Sequence, residues 1–401
     1  MHTASPHDEF ALFRDNPYSW YAHLRDYDPL HWSTLANGAP VLMVTRYQDV
    51  LAILKDGRFG KDIFNARRMP WWQRYFFGRI NASNMLKSDP PTHTRLRRLA
   101  SGIFQPRQIA QLRPHITQIA HHLIDRVVAQ GEMDFMSDFA LPLPITVITE
   151  MLAIPSRDHA VFHRWSNAII ASGILSGERL WAGREMVQLS AYMRRLIAQR
   201  RRHPGDDVIS QLIAVEYDGS RLNQLELVTT TILLLIAGHE TTVNVLGNGM
   251  LALLQHPAQL AQLQAHPEQL PGAVEELLRY ANPVQLVNRY AREDVDYAGM
   301  TIPRGSQLQL VLAGANHDTQ AFVQADVLDI DRDTGRHLAF SQGIHYCLGA
   351  PLARLEGEVA FGVLLARIND IQLACDVTDL HWRPTRELRG LSALPIRYTS
   401  K

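Results

Sequence analysis

Between residues 223 and 256, apolar side chains recur at three- and four-residue spacing over a longer run than anywhere else in the chain. From Thr231 to Ala237 the run is apolar at nearly every position, the pattern of a helix enclosed by protein. It is bounded by Glu226 before and His239–Glu240 after, far short of the roughly 20 residues that cross a bilayer. At its centre stands Ala237-Gly238-His239-Glu240-Thr241-Thr242, which breaks the local rules of a core helix. Threonine can bond back to the carbonyl one turn earlier and bend the helix, and glycine weakens it. Such violations concentrate at functional positions, the bland alternative being a polar kink satisfied by water.

The rest of the chain follows the same period. Helical patterns cover residues 106–130, 185–202, 267–280 and 350–369, with short strand-like pieces at 40–45, 295–302 (turning at Gly299) and 307–313. No internal repeat, low-complexity tract or Gly/Ser linker interrupts them. The fold class expected is mainly α with small β-sheets, residues 1–401 forming one domain and residues 1–15 a loosely ordered start.

Composition excludes several classes. Forty basic and forty acidic residues leave a formal net charge of zero, so no broad cationic surface for nucleic acid is expected. The first 32 residues contain no continuous apolar core of the kind a signal peptide or membrane anchor needs, and a cytoplasmic location is expected. No Gly-x-Gly-x-x-Gly opens a βαβ unit and no P-loop occurs, so redox chemistry would draw electrons from another protein. The two cysteines, Cys347 and Cys375, are too few for a disulfide framework or a Cys-rich zinc site.

The most informative stretch is Phe340-Ser341-Gln342-Gly343-Ile344-His345-Tyr346-Cys347-Leu348-Gly349-Ala350-Pro351-Leu352-Ala353. Glycines on both sides of Cys347 let backbone approach a flat ligand and let peptide N–H groups point at sulfur. A helix beginning near Leu348 would add its positive end, which lowers a thiol pKa. A lone cysteine is ordinarily a small buried hydrophobe; the flanking pattern argues otherwise. The segment resembles the haem-binding signature of the cytochrome P450 superfamily, Phe-Gly-x-Gly-x-[His/Arg]-x-Cys-x-Gly with a later Ala. Phe340, Gly343, His345, Cys347, Gly349 and Ala353 match it, while Ser341 stands where the family usually has Gly. The resemblance makes Cys347 the axial ligand of haem b (heme b, iron protoporphyrin IX), its sulfur donating electron density that favours O–O cleavage.

Further resemblances follow in family order, from about Asn16 to the Gly390–Leu391 region. Glu276 and Arg279, at i and i+3, resemble the buried pair that braces the haem-side core. The segment 237–242 resembles the helix that passes over the haem: Ala237 joins the haem-binding residues, Thr241 would hold a hydrogen bond to dioxygen, and Glu240 would relay protons from solvent. His93 and Arg97 share a helical face in Asp89-Pro90-Pro91-Thr92-His93-Thr94-Arg95-Leu96-Arg97, like the family helix that binds a haem propionate. Asn288-Arg289-Tyr290-Ala291 resembles a strand that presents another such arginine, and His345 completes the set.

The resemblance implies a monooxygenase that inserts one atom of dioxygen into a small apolar organic substrate, by hydroxylation or epoxidation in secondary metabolism. A ferredoxin or flavodoxin with its reductase would deliver the electrons singly, with Arg95 and Arg98 either a docking face or an ordinary solvated one. A peroxide-driven enzyme and a non-catalytic haem carrier or sensor are the alternatives, both disfavoured by Glu240–Thr241. A structural or DNA-binding protein is the remote one. The aromatic and basic stretch Arg67, Arg68, Trp71, Trp72, Arg74, Tyr75, Phe76, Phe77 would either cap an aromatic or carboxylated substrate or pack on the surface. Substrate identity stays open among polyketide, terpenoid, fatty-acyl and aromatic compounds.

Overall fold

A computed structural model describes residues 16–35, 37–67, 70, 71, 75, 78, 81–162, 164, 165 and 182–401. The expected loose start at 1–15, most of the 67–77 stretch and most of 160–184 lie outside these.

The helices that build the site are α1 (Pro17–Tyr27), α2 (Tyr47–Lys55), α3 (Thr92–Ser101), α4 (Arg113–Asp125), α5 (Pro142–Met151), α6 (Ala182–Arg202), α7 (Gln224–Gln255), α8 (Leu270–Tyr280), α9 (Leu312–Asn316) and α10 (Ala350–Arg367). The expected long helix is α7. It opens on a capping box: Asn223 Oδ1 accepts from the amides of Leu225 and Glu226, and Glu226 Oε2 accepts from the Asn223 amide. It stops at His256, because the residue before Pro257 is steered out of the helical region. Helices α5, α6, α8 and α10 pack around α7, and α4 packs on α10. Contact is close enough that a Cβ on Gly238 would fall 2.9 Å from Ile148, so the glycine that weakens α7 also admits α5.

The β structure is peripheral. Strands β1 (Leu30–Thr34), β2 (Pro40–Val44), β3 (Phe59–Gly60), β5 (Val287–Ala291) and β8 (Gln307–Leu310) form a sheet in the order β1-β2-β8-β5-β3. Its β2–β8 pair is parallel and the other pairings are antiparallel. β4 (Glu132–Asp134), β9 (Ile368–Leu373) and β10 (Pro395–Ser400) form a second sheet. β6 (Val295–Tyr297) and β7 (Met300–Ile302) form the expected hairpin, with Gly299 at φ +83°.

Several expected boundaries differ: the helix read from 185 already runs from Ala182, and the one read from 267 opens with a 3-10 turn at Pro267–Gln269 before α8. The helix read over 106–130 is broken into 106–110, α4 and a 3-10 turn at 128–130; Pro114 lies in the first turn of α4, where its missing N–H costs nothing. The strand read to residue 313 ends at Leu310 because α9 begins at Leu312. The helix read to 369 ends at Arg367, where Ile368 turns extended and starts β9.

Glu276 and Arg279 are fully buried, as expected of a brace. Arg279 Nε and Nη2 donate to Glu276 at 2.7 and 2.8 Å, and Nη1 donates to the carbonyls of Asn316 and Ala325, each at 2.7 Å. Arg332, which carried no signal in the sequence, adds a bond to Glu276 at 3.2 Å. The pair thereby clamps α8 to the end of α9 and to the loop at 325–332.

Candidate active site

The segment before α10 is a set of tight turns. Ser341 adopts φ +61° and Gly343 φ +74°, both left-handed. A Cβ on Gly343 would fall 2.6 Å from the Leu54 carbonyl oxygen, so its glycine answers to packing against α2 as well as to backbone freedom. Ser341 reaches the same region without glycine, so the departure from the family pattern leaves the turn intact. A 3-10 turn at Gly343–His345 follows, and the Cys347 amide donates to Phe340 O at 2.9 Å.

Cys347 therefore sits just ahead of α10, which is capped by Gly349, and the amides of Gly349 and Ala350 are directed at its sulfur. Burial pushes the thiol upward; those amides and the charges of Arg97 and Arg354 work against that rise. Cys347 is only half-buried although deep in the fold, so the residue borders internal space. A Cβ on Gly349 would meet nothing within 4 Å. Phe340 is buried beneath Arg354, whose guanidinium lies 4.6 Å from the ring centroid. Arg354 is held in turn by Glu275 at 2.6 Å, and Glu275 also takes His337.

Beside this loop the structure gathers His93, Arg97, Arg289 and His345. His93 and Arg97 come from α3, Arg289 from β5, and His345 from the 3-10 turn. Arg97 Nη2 donates to Tyr346 O at 2.7 Å, which ties α3 to the cysteine loop. The His93 and His345 rings lie 4.2 Å apart between centroids. His93 Nδ1 and Nε2, His345 Nε2 and Arg289 Nη2 are buried without a hydrogen-bond partner. Burial, then the neighbouring cations, lowers His93 to about 4 and holds His345 still further below its usual value; burial lowers Arg289 to about 10. Lys61, which no motif indicated, belongs to the same cluster and is held well below the usual lysine range by burial and Arg289. These buried donors outnumber the carboxylates that act on them among the described residues, Asp89 and, on Lys61, Glu387, and form a receptor for anionic groups.

On α7, Ala237 is exposed and Thr241 half-buried, although both lie in the middle of an otherwise enclosed helix. One turn apart on one face, they mark the stripe of α7 that borders open space. Thr241 Oγ1 donates to Ala237 O at 2.8 Å, the expected back-bond. Glu240 is buried and faces a different element: it forms an ion pair with Arg383, 143 residues away. His239 is fully buried, bonds Leu235 O through Nδ1 at 2.7 Å, and is lowered to about 4 by burial. Glu356 on α10 was also missed. It is fully buried against Thr242, and burial raises it to about 8.

His93, Arg97, Arg289, His345 and Cys347 are thus brought together through contacts and charge, with Phe340 and Gly349 on the same loop. Ala237, Glu240 and Thr241 lie on the helix that packs against α10. Arg95 and Arg98 point elsewhere: Arg95 pairs with Glu226, and Arg98 lies over the Tyr217 ring at 5.3 Å. Of the 67–77 stretch, Arg67 bonds Gly305 O at 2.8 Å, while Trp71 and Tyr75 are exposed; Arg68, Trp72, Arg74, Phe76 and Phe77 lie outside the described residues.

The family described as Cytochrome P450 matches residues 179–369. The chain is 42% identical over 397 residues to the "Polyketide biosynthesis cytochrome P450 PksS" of Bacillus subtilis (strain 168), covering 97% of this chain and 98% of that protein. It is 43% identical over 405 residues to the "Cytochrome P450 monooxygenase PikC" of Streptomyces venezuelae, covering 99% and 95%. This chain belongs to the cytochrome P450 family. The solved structure of PksS superposes on this P450 with a TM-score of 0.91 at 41% identity, covering 96% of this chain and 98% of that one. A structure of P450BioI in complex with an acyl carrier protein ligated to hexadec-9Z-enoic acid superposes with a TM-score of 0.89 at 38% identity, covering 97% and 99%.

The protein is a P450 monooxygenase, an oxidoreductase whose cofactor is haem with a cysteine thiolate as axial ligand. Its residues fit that group: unpartnered donors stand beside a half-buried cysteine, and the space next to Gly349 is open. Among the described residues no helix is long and apolar enough to cross a membrane.

Proposed function

We propose that this P450 oxidises a small apolar, acyl-chain or polyketide-like compound of secondary metabolism, by hydroxylation or epoxidation, with Cys347 as the thiolate. The observation that carries the reading is the buried cluster His93, Arg97, Arg289 and His345, short of anions and one hydrogen bond from the cysteine loop. Haem, when bound, supplies activation of dioxygen for insertion of one oxygen atom. His93, Arg97, Arg289 and His345 would hold its two carboxylates, which would offset the cations that, after burial, depress the cluster's proton affinity. Phe340 backs the loop. The amides of Gly349 and Ala350 favour the anionic sulfur against the burial that opposes it, and the missing side chain of Gly349 leaves room for a flat group.

On α7, Ala237 would leave space for dioxygen, and Thr241 Oγ1 would turn its proton from Ala237 O towards it. Glu240 restores that proton from solvent. The carboxylate of Glu240 and the hydroxyl of Thr241 argue for electron-driven turnover over the peroxide-driven and carrier or sensor alternatives. A ferredoxin or flavodoxin with its reductase delivers the electrons, a reading supported by the lack of a dinucleotide-binding motif in these 401 residues, and the enzyme's place of work is the cytoplasm. With Arg95 engaged by Glu226, the partner's docking face draws little from Arg95. The names of PksS and of the P450BioI complex support the acyl and polyketide class.

The test is the optical spectrum of the reduced protein under carbon monoxide. A strongly red-shifted Soret band in the parent, lost in Cys347→Ala, is the expected result. A haem band that is unshifted in the parent rejects Cys347 as thiolate.

A further inference from the structure

Glu240, Asn244 and Asn248 are spaced four apart on α7, form one buried stripe, and all meet the same short stretch of chain, residues 383–390. Arg383 Nη1 pairs with Glu240 Oε1. Gly390 lies so near Asn244 that a Cβ there would fall 2.0 Å from Asn244 Oδ1. Asn248 Nδ2 donates to Arg389 O at 2.9 Å. The stretch is closed on itself by Arg383 N→Gly390 O at 2.9 Å and by the Trp382–Leu391 bridge, and Arg389 lies over Trp382 at 3.6 Å. It is also fastened to the segment before β5 through Arg389 N→Pro283 O at 2.7 Å and Gln285 N→Glu387 O at 2.9 Å. Arg383 is therefore held in place by its backbone as well as by its partner.

We propose that Arg383 is the positioning residue for Glu240, keeping the buried carboxylate ionised and fixed on α7 so that it can accept protons from solvent and pass them on. The proposal rests on the reading of Glu240 as the proton-relaying acid. Burying a carboxylate alone is prohibitive, and a guanidinium is the partner that stays charged throughout. The Glu240 carboxyl is almost wholly buried at 3% exposure, whereas the Arg383 side chain is 26% exposed, so the pair spans from the interior to solvent. His239 Nε2, a further titratable group at 3.8 Å from Glu240, is buried and held neutral, and adds no competing charge. In each proton transfer the proton moves to and from a Glu240 oxygen; Arg383 remains protonated and loses nothing.

The test compares the holoenzyme with Arg383→Gln, Arg383→Lys and Glu240→Gln. Infrared spectra with Glu240→Gln as the reference show whether the Glu240 carboxyl is protonated at neutral pH. Dioxygen consumption with a plant-type ferredoxin, its reductase and myristic acid is measured in light and heavy water. The expected result is a new protonated-carboxyl band in Arg383→Gln. Its dioxygen consumption should fall about tenfold with a larger solvent isotope effect, less than the roughly hundredfold cost of removing the acid. Arg383→Lys should restore both. If Glu240→Gln slows consumption and Arg383→Gln changes neither band nor rate, the positioning role is overturned and the relay stands. If Glu240→Gln itself leaves rate and isotope effect unchanged, the relay reading fails. Should Arg383→Gln not fold, the wild-type spectrum decides: a protonated Glu240 at neutral pH overturns the proposal, and an ionised one upholds it.

Discussion

His93 and His345 lie 4.2 Å apart, ring centroid to ring centroid, with both nitrogens of the first and Nε2 of the second unpartnered. Arg289 presses on the same pair, and burial already lowers its own proton affinity. Such a cluster is unfavourable by itself and favourable once anions enter. Arg289→Gln should therefore raise the melting temperature of the haem-free protein while weakening haem retention about tenfold or more. Thermal melting of both forms and transfer of haem to apomyoglobin check the two signs together.

Gly343 and Gly349 flank the same cysteine for different reasons. Gly343→Ala sets a Cβ against Leu54 O at a left-handed position and should destabilise the fold by about 1–3 kcal/mol, with or without haem. Gly349→Ala meets no protein atom within 4 Å, so the haem-free protein should melt as wild type while haem incorporation falls. Melting curves and haem-to-protein ratios separate the two effects.

Glu356 and His239 set opposite pH dependences. Burial raises Glu356 to about 8, so between pH 4.5 and 8 the folded chain binds a proton that the unfolded chain has released, and stability falls as pH rises. Glu356→Gln should melt higher than wild type near pH 8 and alike near pH 4.5. His239 is lowered to about 4, so its contribution is present above pH 6.5 and is lost as pH falls towards 4. That loss amounts to about 3 kcal/mol at ~1.4 kcal/mol per unit. His239→Gln should flatten the acid side of the profile, read by denaturant unfolding across pH.

Breaking the Glu276–Arg279 pair from one side strands a buried charge. Glu276→Gln should cost about 3–5 kcal/mol and, with Arg332 also released, free the 325–332 loop. Replacing both residues with Gln and Met should cost less than the sum of the single changes. Urea unfolding of the double-mutant cycle checks this.

What the sequence revealed about the site is what lies close in the chain. Phe340 to Gly349 and Ala237 to Thr242 each carry their meaning within a few residues, so the cysteine loop and the interrupted central helix were legible. His93 and Arg97 were legible as a face, and Arg289 as part of a strand. Partners at long separation were not: nothing in His381-Trp382-Arg383-Pro384 announces a contact with Glu240, and nothing around Lys61 points to His345. Arg95 reads as an open cation within a basic run, and only the fold brings Glu226 to it. The boundary errors have local causes. Pro114 restarts a helix inside an unbroken period, and the strand read to 313 continues into the apolar residues of α9.

Glu226 serves two elements with its two oxygens. One closes the first turn of the long central helix, and the other takes Arg95, which lies between His93 and Arg97 on α3. The gap between α3 and α7, the two walls of the chamber proposed for haem, is therefore gauged in part by an acid at the far end of α7. Its loss would be felt as a change of width: a chamber with every lining group intact but no longer matched to what it must grip.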